Sequence, residues 1–298
     1  MGASPRHILS QGPVVSALVR TAVSAMKQRP TTTPETPGRT YEAQVAARPN
    51  ALVDDYIRHC GGSPSWYKHT VPAHLFPQWG FPLLARTLDD IPYDLTKVLN
   101  GGCRIEVHRP LPRNEPLVLR ARLQDIDDNG SRAVIKQQLV TGTASAPDAV
   151  TSTLYAIVPL KKKKGAKKAK KEPKRVPEAA REIARLRLAA RSGWDFAVLT
   201  GDFNPIHWVG PYARAAGFKN TILHGFATLA RAVESMNRSV WSGDPRWLKT
   251  VDVQFTKPLV LPAKPGVYLD RDTLAVGDAP GAPSFLLGTL TTETPSNV

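Results

Sequence analysis

In LTGDFNPIHW, residues 199–208, three side chains have the chemistry for moving protons: Asp202, Asn204 and His207, grouped around Pro205. An aspartate and a histidine five positions apart suit a water-handling couple. One group holds a water and takes its proton while the other delivers a proton elsewhere. A metal reading is weaker. One Asp, one Asn and one His do not make a three-ligand nitrogen or sulfur site, although His224 could join them in space; the expected site holds no metal. Ser192 and Thr200 lie nearby in sequence, but nothing around them resembles a nucleophile elbow. The bland alternative is that Asp202 caps a helix that happens to have a histidine beside it.

A second stretch, TILHGFATLA (221–230), sets Gly225 at the start of an apolar helix, where backbone N–H groups have no intrahelical partner. Those donors, with the positive end of the helix dipole, favour a developing oxyanion. A glycine there lets a ligand approach the backbone. His224 reads either as a substrate contact or as a structural histidine at a helix start.

The elements that must position these groups form two similar halves. WGFPLLARTL (79–88) matches HGFATLARAV (224–233), with Gly80 on Gly225 and Leu84-Ala85-Arg86 on Leu229-Ala230-Arg231. Further on, HRPLPRNEPLVL (108–119) resembles TKPLVLPAKPGVYL (256–269). A duplication accounts for the shared order and spacing. Each half reads as a helical stretch (NALVDDYIRHCGG, then IARLRLAARSGWDFAVLTGD), a loop, and a long apolar helix beginning at WGF or HGF. A meander follows, with CRIEVHRPL, PLVLRARLQDI, RAVIKQQLV and STLYAIVPL as strands in the first half. TVDVQFTKPL, PGVYLDRD and SFLLGTLTTE answer them in the second. The expected unit is α+β, a helix packed on an antiparallel sheet. With Gly61 anchored on Gly201, Gly62 falls at Asp202, Pro64 at Asn204 and Tyr67 at His207. The first half thus has the scaffold without the polar cluster. A mere cap would have been copied with the scaffold, so its restriction to one half favours a functional role.

With 298 residues and 42% hydrophobic composition the chain builds a sizeable core, and no apolar run reaches bilayer length. GPVVSALVRTAVSAM, interrupted by Arg20, reads as an amphipathic helix, with a transit peptide as the alternative. Two cysteines, Cys60 and Cys103, are too few for a disulfide framework and fit a reduced, cytoplasmic protein. Of the net charge of +15, the run KKKKGAKKAKKEPKR (161–175) holds ten Lys/Arg and one Glu. It reads as a solvated linker over 159–177, between units at 1–158 and 178–298. No aromatic interleaving or binding module accompanies it, so no specific nucleic-acid partner is expected.

GDFNPIH followed by A…GF…ILHG, from Leu199 to Phe226, resembles the MaoC-like (R)-specific enoyl-thioester hydratases, also called hydratase 2. The rest is similar to the two-repeat members, in which a hydratase-type hot-dog follows a degenerate one. The resemblance implies an α+β double hot-dog, each repeat a long helix wrapped by an antiparallel sheet. It also implies a hydro-lyase activity: reversible hydration of trans-2-enoyl thioesters to (3R)-3-hydroxyacyl thioesters. Asp202 and His207 match the catalytic pair, Asn204 the residue that orients it, and Gly225 the N–H that polarises the thioester carbonyl. The implied partners are acyl-CoA or acyl-ACP substrates, the state a monomer or homodimer, and no metal or redox cofactor is required. Phe76, Trp79 and Phe81 of the blunted half are a candidate lining for an acyl channel, with ordinary core as the alternative. A hot-dog thioesterase and a catalytically silent acyl-thioester binding subunit stand as the competing readings.

Overall fold

The computed structural model describes residues 2–17, 32–95, 98–160 and 172–295; most of the lysine run and the segment from residue 18 to 31 lie outside them. The chain builds the same half-sheet twice. In the first half, β1 (Tyr41–Val45), β2 (Leu99–Val107), β3 (Leu117–Asp128), β4 (Arg132–Gly142) and β5 (Val150–Pro159) lie in the order β1-β3-β4-β5-β2. In the second, β6 (Arg181–Arg185), β7 (Leu248–Phe255), β8 (Gly266–Asp270), β9 (Thr273–Gly277) and β10 (Ser284–Thr292) lie in the order β6-β8-β9-β10-β7. The halves join where β2 pairs antiparallel with β7, Cys103 opposite Val253 and Ile105 opposite Val251, giving one ten-stranded sheet with a pseudo-twofold at its centre.

Alternation along the strands decides which face is covered. Leu117, Leu119, Ala121 and Leu123 of β3, and Ala133, Ile135, Leu139 and Thr141 of β4, all point inward and are buried. The helices α1 (Asn50–Cys60), α2 (Pro77–Arg86), α3 (Ser192–Thr200) and α5 (Gly225–Ser239) fill that inner face, while the short α4 (Gly210–Ala215) packs beside the 3₁₀ turn Pro205–His207. Every α5 residue from Phe226 to Asn237 is buried, so its Arg231 and Glu234 must find partners inside the fold.

The pairing of Gly61 with Gly201 has a common cause in the two structures they end. Each closes its helix, α1 or α3, in the left-handed region, at φ 93° and 83°. The pairing of the long helices needs correction. Val71 N–H donates to Leu111 O in the first half, and Leu223 N–H to Leu259 O in the second, both at 2.8 Å. Pro72 therefore answers to His224 and Ala73 to Gly225. Gly80 lies inside α2 against Leu139, not at a helix start. The WGF/HGF match is displaced by two helical turns, a shift that keeps the same residues facing the core and so leaves the sequence pattern nearly unchanged. A 3₁₀ turn, Ala73–Leu75, takes the place of the first turn of α5.

The expected helical stretch from Ile183 becomes helical only at Ser192. Residues 181–185 form β6, an edge strand on β8, where side-chain composition of helical type is overridden by the free edge of the sheet. Strands β1 and β9, each five residues long, add to those expected; β9 is buried from Leu274 to Gly277 and so shows no alternation.

Candidate active site

Three features bring the Asp202 segment to the start of α5. Gly201 turns the chain out of α3. Asn204 then caps the 3₁₀ turn Pro205–His207, its Oδ1 accepting from Ile206 N–H at 3.3 Å. Trp194 packs edge-on against Phe203 and Trp208, with ring centroids 5.7 and 5.0 Å away, and Trp208 Nε1–H donates to Phe203 O; these rings brace the loop from outside. Asn204 itself is exposed and touches the site through the backbone turn, and the Asn204 N–H lies 3.4 Å from Asp202 Oδ1.

His207 is buried, with Nδ1 2.8 Å from Ile222 O. A carbonyl only accepts, so Nδ1 carries the proton and Nε2 presents its lone pair. The His207 ring stacks on that of His224, with centroids 3.5 Å apart and planes 25° from parallel. His224 is 2% exposed, packs against Phe196, and sets Nε2 3.0 Å from the backbone oxygen of Asp202 and 3.8 Å from its Oδ2. By the same reasoning its proton is on Nε2; its buried Nδ1 has no hydrogen-bond partner. Burial pushes both imidazoles below the ordinary value of 6.5. His224 goes well below, with His207 adding to the effect, while the Asp202 carboxylate partly offsets the shift at His207. Both rings are therefore neutral at pH 7.

Asp202, His207 and His224 bring one potential ligand atom each within 4.8 Å of one another. The donor set suits an ion less well than a proton couple. Near-parallel stacked rings aim their in-plane lone pairs alongside each other, and His224 spends one nitrogen on a backbone carbonyl. A carboxylate beside a neutral imidazole with a free Nε2 lone pair has the groups needed to hold a water and exchange a proton.

Thr228 N–H bonds to His224 O, which leaves the N–H groups of Gly225, Phe226 and Ala227 without intrahelical acceptors at the start of α5. Gly225 also has a packing reason to be glycine: a Cβ there would collide with the ring of Phe255, the last residue of β7. Phe76 and Phe81 are brought to this place through Phe226, at centroid distances of 5.4 and 5.8 Å, and Phe226 in turn meets Phe255 at 5.6 Å. Trp79 is not: its Nε1–H donates to Thr141 Oγ1 on β4 and its ring is core. Sequence reasoning missed Ile222 O, Phe196 and Phe255. The first acts through its backbone and leaves no mark on residue type; the aromatics read as generic core.

The comparisons with known proteins converge on this region. Residues 167–272 match the profile described as MaoC like domain. Over 182 residues the chain is 26% identical to peroxisomal enoyl-CoA hydratase 2 of Arabidopsis thaliana, an alignment covering 55% of this chain and 56% of that one. The chain thus spans about half the length of that relative. The crystal structure of HtdX of Mycobacterium tuberculosis superposes with a TM-score of 0.66 at 20% identity, covering 86% of this chain and all of that one. Another M. tuberculosis protein, reported to have a double hotdog fold, matches at a TM-score of 0.51 and 12% identity over 88% of this chain and 99% of that one. The fold is a double hot-dog, and the chain carries a MaoC-like domain. No helix among the described residues is long and apolar enough to cross a membrane.

Proposed function

We propose that the chain hydrates trans-2-enoyl thioesters reversibly to (3R)-3-hydroxyacyl thioesters, as a hydro-lyase of fatty-acid metabolism. The observation that carries this reading is the neutral His207, its Nε2 lone pair left free beside the Asp202 carboxylate at the start of α5. In the forward direction Asp202 and His207 hold a water, and the pair takes one proton as the oxygen bonds to C3. The alkene electrons move through C2 onto the thioester oxygen, where the free N–H of Gly225 stabilises the developing charge. The same pair then returns a proton to C2, so no redox or metal chemistry enters the balance. His224 holds the Asp202 backbone from behind, and Asn204 sets the turn that aims His207. The similarity to an enoyl-CoA hydratase 2 supports the substrate class. The carrier is coenzyme A or acyl carrier protein, and two buried free thiols suit a reducing compartment such as the cytoplasm.

The test follows the ultraviolet absorbance of trans-2-enoyl-CoA of short, medium and long chain. The enoyl band is expected to fall with formation of the (3R) product, and Asp202→Asn and His207→Ala are each expected to lose about 10²–10⁴-fold in kcat/KM. Release of free thiol without loss of the double bond would instead make this a thioesterase.

A further inference from the structure

The half that lacks Asp202 is not chemically blank. Gly62, which answers to Asp202, leaves a space that a carboxylate from the other half enters: a Cβ on Gly62 would collide with Glu234 Oε2 of α5. Glu234 is 1% exposed and accepts from Tyr67 OH at 2.9 Å, His74 Nε2 at 3.0 Å and Asn237 Nδ2 at 3.0 Å. Tyr67 stands where the second half has His207. The pseudo-twofold therefore repeats the candidate active site as a carboxylate–imidazole–phenol cluster assembled across the halves, which corrects the expectation that the first half carries no polar group there.

In front of Tyr67 and His74 lies a cavity of about 250 Å³. Its origin is visible in the register. Val107 occupies the position that corresponds to Phe255, so no ring covers Ala73 as Phe255 covers Gly225. The walls are apolar, with Leu111 and Val150 from the first half and Val233 and Leu248 from the second. Arg109, Arg246 and Lys249 also line it. Arg246 is held by Asp244 and Lys249 by Glu293, while Arg109 is exposed and has no carboxylate in ion-pair range among the described residues. The polar floor has no reactive lone pair to offer: His74 spends Nε2 on Glu234 and Nδ1 on Tyr56 OH.

We infer that this cavity is a second ligand site, taking an acyl chain with an anionic head: the chain lies on the apolar walls and the head on Arg109. A space larger than the ~150 Å³ apolar cavity that accepts benzene, lined by satisfied polar groups and by a free cation, suits that class of molecule. The floor binds and does not react. The head can be the carboxylate of a free fatty acid or the phosphates of an acyl thioester carrier, and this inference does not depend on the hydration reaction.

Calorimetry with decanoate and with decanoyl-CoA, which has no double bond to hydrate, tests it on the full chain. Val107→Phe restores the missing ring and is expected to abolish one binding event per chain. Arg109→Glu, on the surface and without folding risk, is expected to weaken it by about tenfold. Enoyl-CoA turnover should be unchanged in both. A decanoate event that Val107→Phe abolishes identifies a free-acid site, and a decanoyl-CoA event that it abolishes, with none for decanoate, a thioester site; either supports the inference. Absence of binding by both ligands, or binding that neither variant disturbs, overturns it. So does a rise in KM for long-chain enoyl substrates in Val107→Phe with decanoate competing for turnover, because the cavity would then be the tail channel of the single active site. Failure of the hydratase reading shows separately, as no enoyl turnover by the unaltered chain, and leaves the calorimetry standing.

Discussion

At the scale of the residue, the pair Asp202 and His207 differs from an exposed aspartate and histidine through what surrounds His207. Ile222 O fixes the proton on Nδ1, and burial holds the ring neutral below the ordinary 6.5. A neutral base is the active form in the proposed reaction, so kcat/KM should fall on the acid side, with a limb displaced below pH 6.5. The Asp202 charge opposes that displacement. Asp202→Asn should therefore move the limb still lower while reducing the rate, a pairing that a pH–rate profile separates from simple damage. A limb that rises toward neutrality in that variant would contradict the assignment. In the proposed reaction His224 is a positioning residue: its Nε2–H holds the Asp202 backbone and its face supports His207. His224→Gln should lower kcat more than it raises KM in enoyl-CoA kinetics.

At the scale of the element, the site is a meeting of two helix ends and one strand end. The end of α3 and the turn after it were legible in sequence, because Gly201 and Pro205 each have a backbone reason to be what they are; that Asn204 rather than Asp202 caps the turn was not. The strands with clean alternation were legible for the same kind of reason. What the sequence could not carry is which helix turn faces which. The WGF/HGF match placed Gly80 where Ala73 belongs, since a shift of two turns conserves the buried face. Nor could residue type show that Glu234, on the second half's helix, fills the space beside Gly62. Phe255 is the element-scale consequence for function. Its ring covers Gly225 from the end of β7, against Phe226. A thioester reaching the Gly225 N–H must share that corner with the ring, so Phe255→Ala should change the preference among acyl chain lengths by several-fold in kcat/KM. One methylene's worth of apolar contact is about 1–3 kcal/mol, and a partial change of contact at this corner takes the lower end of that range. Chain-length profiles of the two proteins that superimpose would rule the ring out as a determinant.

At the scale of the molecule, three buried imidazoles tie stability to pH. His59, His207 and His224 are all pushed below 6.5 by burial, and the Arg231 guanidinium, whose Nη2–H donates to His59 Nε2 at 2.8 Å, adds to the shift at His59. Between each folded value and 6.5 the unfolded chain binds more protons. Stability from these groups is therefore full above pH 6.5 and is lost as pH falls below it, at up to about 1.4 kcal/mol per pH unit for each. Urea midpoints at pH 7.5, 6.5 and 5.5 read this directly, and a midpoint that climbs on acidification would refute it.

The same buried charges bind the two halves into one folding unit. Arg231 reaches His59 and Glu234 reaches Tyr67 and His74, all from α5 into the first half, while Arg238 donates to Gly61 O across the same boundary. Separating the halves would uncover the β7 edge and remove the first-half partners of Arg231 and Glu234, leaving Arg231 the Ala227 carbonyl and Glu234 the Asn237 amide. Glu234→Ala, which deletes the acceptor and strands three donors, should lower unfolding free energy by about 3 kcal/mol or more. Splitting the chain within the lysine run should be harsher. Residues 166–298 alone should be insoluble or unfolded although they contain every proposed catalytic residue, and co-expression with residues 1–165 should restore a soluble complex through the β2–β7 seam. Cooperative unfolding and enoyl turnover by the isolated second half would show that the duplication joined two independent units. Insolubility alone, rescued by the first half, would show that the duplicated helix has become the shared core of both.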